Sequence, residues 1–202
     1  MIIFKEKYDL PDYSIIESKK DFDINIWQPE EIYVVLGRSD SFEQAVNNRN
    51  NVHLHYTVVK RPSGGHTVVV SPKTLVISAV FRNSNIKSKE VFTKLNTFII
   101  KVLKEFGVEN LQENGISDIS IGNKKILGSS IYKKPNFTFY HAVLNHSEEV
   151  DLIQSLLNHP RREPDYRKGR SHKDFVTSLA EAGYDFSIEQ LVEKLRFESK
   201  NI

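Results

Sequence analysis

The 202-residue sequence contains no cysteine and only one methionine and one tryptophan. Without cysteine the chain can form no disulfide, thiolate nucleophile or thiolate metal site. The same absence fits a reducing compartment, so a cytoplasmic location is expected. The first ten residues are mixed and charged, and no apolar run approaches the roughly 20 residues that a membrane span requires. We therefore expect neither a secretory leader nor a membrane partner.

Neither sign of charge is in clear excess, because the sequence has 28 basic and 26 acidic residues and a net charge of +2. Phosphate-backbone binding usually requires a basic excess or stripe, so no nucleic acid partner is expected. The seven histidines have no tight ligand spacing, and we predict no protein-held metal site. No serine lies in a nucleophile-elbow motif, which argues against a serine hydrolase.

Hydrophobic periodicity predicts an α+β fold in one domain spanning 1–202, with a mixed, mainly antiparallel sheet and packed helices. The clearest helix begins after an N-cap at Ser88 and ends at Phe106, where Gly107 favours a left-handed C-cap. A short helix is expected at Val150–Leu157, and a capping box at Ser187–Gln190 opens a last helix through Arg196. Strands are predicted at Asp23–Gln28, Ile32–Leu36, Tyr56–Lys60, Thr67–Val70, Thr74–Phe81, Asp118–Ile121 and Phe137–Asn145, with Lys124–Lys134 left between the last two.

The loop Arg61–Thr67, between two predicted strands, is the first candidate site. Adjacent glycines let a backbone approach a ligand closely, and amides and hydroxyls there can donate to phosphate or carboxylate oxygens. Arg61 can add a charge-assisted pair of hydrogen bonds. The alternative is a simple hairpin with a Gly-Gly turn, and spacing alone does not decide between the two. The candidates in this loop are Arg61, Ser63, Gly64, Gly65, His66 and Thr67.

The second candidate stretch joins Asn114–Ile119 to Gly122–Ser130. Lys125, close to Gly128, Ser129 and Ser130, can direct an ammonium at an acyl phosphate while the small residues allow close approach. At about 4 Å and an effective dielectric near 20, one charge pair is worth on the order of 4 kcal/mol. A solvated Lys-Lys pair on the surface is the alternative.

The third stretch, Arg161–Lys173, carries six basic residues and two acidic ones among thirteen. Such a segment can dock an acidic partner or reach a bound phosphate. A solvated basic loop is the commoner explanation of such a composition.

The order of these motifs carries more information than any one of them. Leu36-Gly37-Arg38 is followed by Lys60-Arg61-Pro62-Ser63-Gly64-Gly65, a long helix, Ser117-Asp118, Lys125-Ile126 with Gly128-Ser129-Ser130, and a strand with His141. In this order, over about residues 8–180, the chain resembles the lipoate–protein ligase family. That family shares its superfamily with octanoyltransferases and biotin–protein ligases.

The resemblance implies that ATP, with Mg²⁺, activates lipoate or octanoate as an acyl-adenylate. A lysine of a lipoyl carrier domain, from a dehydrogenase or a glycine-cleavage-type protein, then attacks it. On this basis Lys125 contacts the acyl carbonyl and phosphate as the catalytic residue, Asp118 lies on the nucleotide side, and Arg61 lies on the acyl or phosphate side. The remaining acyl- or adenylate-binding residues would be Ser63, Gly64, Gly65, His66, Thr67, Gly128, Ser129, Ser130 and His141, with an apolar lining from Val35, Val68 or Ile77.

Departures from the family pattern leave two alternative hypotheses for the function. Octanoyltransferases of this group use an enzyme cysteine, which is absent here. His66 replaces a usual third glycine, the segment Val70–Val76 lacks the family's usual polar run, and we expect no C-terminal accessory domain. The alternatives are a cysteine-independent acyltransferase that needs a separate activating subunit, or a non-catalytic paralogue that binds the acyl group or carrier.

Overall fold

The computed structural model describes residues 1–47, 53–82 and 85–202. The α-helices of the described residues are α1 (Phe42–Ala45), α2 (Ser88–Glu105), α3 (Val150–Leu156), α4 (His172–Phe175) and α5 (Ile188–Glu198), with 3₁₀ turns at Pro11–Glu17, Asp165–Arg167 and Ser199–Asn201. The strands are β1 (Ile2–Phe4), β2 (Phe22–Trp27), β3 (Tyr33–Leu36), β4 (Tyr56–Lys60), β5 (Val68–Val70), β6 (Thr74–Arg82), β7 (Leu111–Asn114), β8 (Asp118–Ile121), β9 (Lys124–Lys134) and β10 (Phe137–Asn145).

These strands form two sheets. The larger sheet is antiparallel throughout, in the order β2-β6-β10-β9-β8-β7. The smaller sheet is mixed, in the order β1-β4-β3-β5, with β1 and β3 parallel to β4 and β5 antiparallel to β3. The predicted α+β class with a mixed, mainly antiparallel arrangement is confirmed, and the strands are divided between two sheets.

Helices α2 and α5 cover one face of the larger sheet and form the main hydrophobic core. Leu95, Ile99 and Val102 of α2 pack with Ile77 of β6 and Leu144 of β10, and each is inaccessible to solvent. Ile77 therefore belongs to this core rather than to an acyl pocket, and its expected place in an apolar lining is wrong. The opposite face of the sheet packs against the smaller sheet and the N-terminal segment.

Most predicted elements are confirmed to within a residue or two. Helix α2 begins after Lys87, so Ser88 is its first residue and not its N-cap. Gly107 has the expected left-handed conformation, with φ of 79°. The capping box of α5 is present, because Ser187 accepts from the Gln190 N–H and the Gln190 side chain accepts from the Ser187 N–H. The 3₁₀ turn Pro11–Glu17 and strands β1, β7 and β9 were not predicted.

No helix among the described ranges is long and apolar enough to cross a membrane.

Candidate functional site

A cavity of about 320 Å³ lies between the two sheets, a volume in the range of small-molecule pockets. Its walls come from the N-terminal segment, β3, the Arg61–Thr67 loop, β9, β10 and the segment 159–176. Ten of the twelve predicted site residues line it: Arg61, Gly65, His66, Thr67, Asp118, Lys125, Gly128, Ser129, Ser130 and His141. Ser63 and Gly64 do not, since Ser63 is buried behind the wall and Gly64 lies on the exposed side of the loop.

One part of the cavity is apolar, and we call its six side chains the apolar wall: Trp27, Val35, Val68, Val70, Val76 and Val143. These side chains pack together where the two sheets face each other, because period-2 alternation turns one side of β3, β5, β6 and β10 inward. Val35 and Val68 are thus placed as the sequence predicted. An apolar pocket of this kind suits a hydrocarbon chain.

A β-bulge in β9 sets the direction of Lys125. Ile119 pairs with Leu127 while the next residue, Ser120, pairs with Lys125, so Ile126 is the extra residue. Ile126 and Leu127 consequently both enter the main core, although neighbouring residues on a regular strand face opposite sides. The bulge returns Lys125 to the cavity face, and the Thr177 N–H donates to the Lys125 carbonyl at 2.9 Å.

The Lys125 ammonium lies against Gly128 and Asp118. Lys125 Nζ is 2.9 Å from Asp118 Oδ1, and a Cβ on Gly128 would lie 2.5 Å from that same nitrogen. Asp118 Oδ2 accepts the Tyr166 hydroxyl at 2.7 Å. The ammonium is therefore held at a defined point on the cavity floor, with its side chain 27% exposed and able to meet a second anion.

The Arg61–Thr67 loop is not a hairpin turn, because β3 lies between the two strands that the loop joins. The loop crosses the end of β3, where the Arg38 N–H donates to the Ser63 carbonyl at 3.0 Å. A Cβ on Gly37 would lie 1.9 Å from the Gly65 carbonyl oxygen, so only glycine fits beneath the loop. Gly65 has a φ of 84° and itself requires glycine.

Arg61 organises this loop from inside. Its guanidinium donates to Gly64 O at 2.9 Å, to His66 O at 2.7 Å and to Val35 O at 3.0 Å. Burial lowers the pKa of Arg61 to about 10, so the group stays charged at neutral pH. Because most of its N–H groups already donate within the protein, Arg61 stabilises the shape of the loop. Few of these groups remain for the predicted pair of hydrogen bonds to a ligand.

Two hydroxyls of the loop also have partners within the protein. The Thr67 N–H and hydroxyl donate to Asp40 Oδ2 at 2.7 and 2.8 Å. Ser63 Oγ lies 2.6 Å from His141 Nε2 and 2.9 Å from Ser130 Oγ, and it accepts from Arg61 Nε at 3.0 Å. The loop thus offers a ligand its exposed glycine backbone rather than these two side chains.

His141 joins the loop to the N-terminal segment. Its Nδ1 lies 3.1 Å from Asp12 Oδ2, and the Tyr8 hydroxyl donates to both oxygens of the same carboxylate at 2.8 and 3.0 Å. Asp12 is fully buried and His141 is 7% exposed. Burial lowers the pKa of His141 despite the facing carboxylate, so its imidazole is neutral at pH 7.

Ser129 and Ser130 lie on opposite faces of β9. Ser130 pairs with His141 and faces the cavity, whereas Ser129 pairs with Ala142 of the main core. The Ser129 hydroxyl donates to the Ser117 carbonyl at 2.7 Å. The predicted pair of serines is therefore split, and Ser130 is the one whose hydroxyl faces the cavity.

The basic segment Arg161–Lys173 covers the polar end of the cavity. Arg170 donates to Asn123 O at 2.9 Å and stacks, like Arg167, on Phe175 at about 5 Å from the ring centre. Arg167 is 5% exposed and lines the cavity, and its Nη2 has no partner among the described residues. A buried, unsatisfied guanidinium nitrogen in the cavity that Lys125 also lines fits a phosphate group.

No group of three or more histidine, aspartate or glutamate side chains suited to a metal ion occurs within residues 1–47, 53–82 and 85–202. Mg²⁺ is commonly held by substrate phosphates together with one or two carboxylates, so the residues present fit a metal that enters with a nucleotide. Asp118 is the cavity carboxylate beside Lys125.

Sequence reasoning missed several residues of the site. Tyr8 and Asp12 lie in a segment with no recognisable motif, and only the fold brings them to His141. Tyr166 and Arg167 fall in the basic segment, where composition alone did not distinguish them from their solvated neighbours. Trp27, the lone tryptophan of a predicted strand, was a weak signal for the apolar wall.

Known proteins similar to this chain include lipoate–protein ligases and an octanoyltransferase. A family model described as the lipoyl protein ligase A/B catalytic domain matches residues 14–199. Lipoate–protein ligase 1 of Staphylococcus aureus is 29% identical over 124 residues, covering 61% of this chain and 37% of that protein. An octanoyltransferase of Prochlorococcus marinus is 27% identical over 143 residues, covering 69% of this chain and 64% of that protein. The chain thus spans less than two thirds of either relative's length.

Solved structures of lipoate–protein ligases have a similar fold. A bipartite lipoate protein ligase from Thermoplasma acidophilum, from a study of an archaeal lipoylation system with its E2 lipoyl domain, superimposes with a TM-score of 0.77. That structure is 18% identical, and the similarity covers 94% of this chain and 75% of that one. The family match, which takes in nearly the whole sequence, decides the assignment. The chain belongs to the lipoyl protein ligase A/B catalytic domain family.

Proposed function

We propose that this protein attaches a lipoyl or octanoyl group to a lysine of a lipoyl carrier domain, through an acyl-adenylate made from ATP. The observation that carries the proposal is the Lys125 ammonium, held over Gly128 by Asp118 at 2.9 Å, in a cavity with an apolar wall. One end of that cavity suits a hydrocarbon chain and the other suits phosphate.

The apolar wall would receive the acyl chain. Trp27, Val70, Val76 and Val143 offer no hydrogen-bonding group to the chain's interior except the Trp27 indole N–H, which has no partner among the described residues. The acyl carbonyl would then point toward the glycine loop and Lys125. Burying the chain contributes roughly 0.8 kcal/mol for each methylene.

Lys125 would stabilise negative charge that develops on the acyl carbonyl and phosphate during transfer. Its charge is already positioned by the bulge in β9, so no side-chain reorganisation is needed at the moment of reaction. Arg167, which has an unsatisfied buried nitrogen at the same end of the cavity, would hold a phosphate oxygen. Mg²⁺ would enter with ATP.

A second candidate is transfer without activation. The fold relative from Thermoplasma acidophilum is a bipartite ligase, and the octanoyltransferase match is to a transferase. If the protein resembles these in activity, a separate subunit would support adenylate formation, and this chain would carry out the transfer step alone. A transferase of this kind would work without an enzyme cysteine.

The test is intact-mass analysis of an unmodified E2 lipoyl domain incubated with the protein. One reaction contains lipoate, ATP and Mg²⁺, and the other contains preformed lipoyl-adenylate. The Lys125→Ala variant is run beside both, with Lys124→Ala as the matched control, because Lys124 is the neighbouring lysine and does not line the cavity.

Modification of the carrier in both reactions would establish a self-sufficient ligase. Modification from the adenylate alone would support the transferase candidate. If neither reaction modifies any of several carriers, while the protein binds acyl ligand or carrier, the non-catalytic interpretation replaces both.

A further inference from the structure

The buried hydrogen bonds around His141 have a fixed direction. As a carboxylate Asp12 can only accept, so the His141 Nδ1, 3.1 Å away, must donate to it. A neutral imidazole protonated at Nδ1 has an acceptor at Nε2, and Ser63 must therefore donate its single proton to that nitrogen across 2.6 Å. Arg61 Nε has no acceptor capacity and donates to Ser63 Oγ at 3.0 Å.

The direction of the remaining hydrogen bond, between Ser63 and Ser130, follows from these three. Ser63 has already used its proton on His141, so the 2.9 Å contact between the two serine hydroxyls must be donated by Ser130. Ser130 therefore directs its proton inward and presents oxygen lone pairs to the cavity that it lines. The hydroxyl is an acceptor for a ligand N–H or O–H.

Ser130 lies close to the reacting end of the cavity. Residues two apart on a strand share a face, so Ser130 and Gly128 both face the cavity, about 7 Å apart along β9. Gly128 is the residue against which the Lys125 ammonium rests. An acyl carbon that lies between these two positions would be within reach of both the Lys125 ammonium and the Ser130 oxygen.

We propose that Ser130, Ser63 and His141, oriented by Asp12, form a proton relay that takes a proton from the incoming carrier lysine. This inference rests on the proposed acyl transfer. The attacking group arrives as an ammonium and must lose a proton before its nitrogen can act as a nucleophile. A hydroxyl that only accepts, beside the acyl carbon, is placed to receive that proton.

Three proton transfers and one exchange of bonds at the acyl carbon make up the step. One ammonium proton passes to Ser130 Oγ, the Ser130 proton passes to Ser63 Oγ, and the Ser63 proton passes to His141 Nε2. The freed nitrogen lone pair forms the bond to the acyl carbon, the bond from that carbon to the phosphate oxygen breaks, and AMP leaves with the electron pair. The second nitrogen proton goes to water, and the relay later releases the first through Ser63 and Ser130 to water in the cavity.

The resulting imidazolium would have suitable surroundings. Asp12 faces its Nδ1, the Tyr8 hydroxyl donates to the same carboxylate, and Arg61 is the facing cation. Burial and Arg61 disfavour the charged ring while Asp12 favours it, so His141 is neutral at rest and can hold a proton transiently.

Ser63, His141 and Asp12 are hydrogen-bonded in the same order as a Ser-His-Asp catalytic triad. The burial of Ser63 excludes it as a nucleophile in this arrangement. Ser63 is 1% exposed and does not line the cavity, and both of its lone pairs accept hydrogen bonds. An acyl carbon cannot approach its oxygen. Ser130, at the cavity end of the chain, is the relay's contact with substrate, and Ser63, His141 and Asp12 act through it.

The test compares two acceptors under single-turnover conditions, with the protein loaded with preformed lipoyl-adenylate. The E2 lipoyl domain offers an ammonium that must lose a proton, whereas hydroxylamine is already uncharged at neutral pH. For Ser130→Ala and Asp12→Asn we expect transfer to the carrier to fall about 100-fold, the lower end of general-base contributions, with transfer to hydroxylamine within about twofold of wild type. Asp12→Asn keeps the side-chain shape but can present an N–H to His141, which would reverse the relay.

Ser78→Ala is the matched control, because Ser78 is a fully buried serine directly opposite His141 on β6 and lies outside the relay. Unchanged carrier transfer in Ser130→Ala would overturn the relay, and so would equal losses with both acceptors, which indicate disrupted structure. A wild-type protein that transfers to neither acceptor would instead contradict the proposed function itself.

Discussion

Replacing Gly128 by alanine tests whether the position of the Lys125 ammonium matters for catalysis. The new Cβ would lie 2.5 Å from Lys125 Nζ and 2.6 Å from Cε. Ordinary contact needs about 3.5–4.0 Å, so the flexible end of the lysine must withdraw by roughly 1–1.5 Å. The obstructing atoms are the end of a side chain and not backbone, so the fold should tolerate the substitution.

The cost in rate follows from Coulomb's law. At an effective dielectric of about 20, a unit charge pair is worth roughly 5.5 kcal/mol at about 3 Å and roughly 3.7 kcal/mol at about 4.5 Å. The difference of roughly 2 kcal/mol corresponds to about a 20-fold slower transfer. Lys125 is 27% exposed, and solvent screening makes this an upper figure.

The assay is single-turnover transfer from preformed lipoyl-adenylate to the E2 lipoyl domain, followed by intact mass, with a thermal melt of each variant. We expect Gly128→Ala to transfer about 5- to 20-fold more slowly with a melting temperature within about 3 °C of wild type. Wild-type transfer rates in a stably folded Gly128→Ala protein would mean that the position of the Lys125 ammonium does not limit transfer.

Three further variants probe the surroundings of Lys125. Tyr166→Phe removes the 2.7 Å hydrogen bond to Asp118, and we expect roughly 1.5 kcal/mol lower stability in urea unfolding and slower transfer; unchanged stability would contradict this. Burial lowers the pKa of His172 to about 4 from 6.5, so the stability given by its neutral form is complete above pH 6.5 and is lost as the pH falls toward 4. Between pH 7.5 and 5 wild type should lose about 2 kcal/mol more than His172→Gln, and parallel pH curves in urea unfolding would refute it. Val143→Phe narrows the cavity at the apolar wall and should raise the preference for a shorter acyl acid over lipoate by about tenfold in competition assays. An unchanged ratio would mean that the acyl chain binds elsewhere.

Most helices and strands could be predicted because the spacing of apolar residues within each segment shows its type. The stripe of α2, the capping box of α5 and the apolar runs of β4, β6 and β10 follow helical or strand periodicity over their whole length. Strand β9 was missed because charged ends and a Gly-Ser-Ser centre hide its alternation. The two-sheet division was missed because β3 inserts between β4 and β5, a pairing that sequence order does not reveal.

The candidate site was predicted where chemistry follows a motif and missed where it depends on distant contacts. Lys125, Gly128 and Asp118 lie within eleven positions of one another, and their spacing was visible. Asp12 and His141 are 129 positions apart, and no periodicity links a 3₁₀ turn to a strand in the middle of a sheet. Arg61 was assigned to a ligand because its type suits phosphate, whereas burial beneath the loop directs its hydrogen bonds to backbone carbonyls.

The bulge in β9 explains why Lys125 and Gly128 act as one unit. On a regular strand, residues three apart face opposite sides, and the lysine could not rest on the glycine. Because Ile126 is the extra residue, Lys125 and Gly128 both face the cavity. A Cβ at position 128 would clash with the end of the Lys125 side chain and would only touch Asp118 Oδ1, at 3.6 Å. The two substitutions should therefore be non-additive: once Lys125 is alanine, adding Gly128→Ala should not slow the residual transfer further. An additive loss in that double-mutant cycle would mean that Gly128 contacts the substrate directly and that its absent side chain makes room for the acyl-adenylate rather than for the lysine.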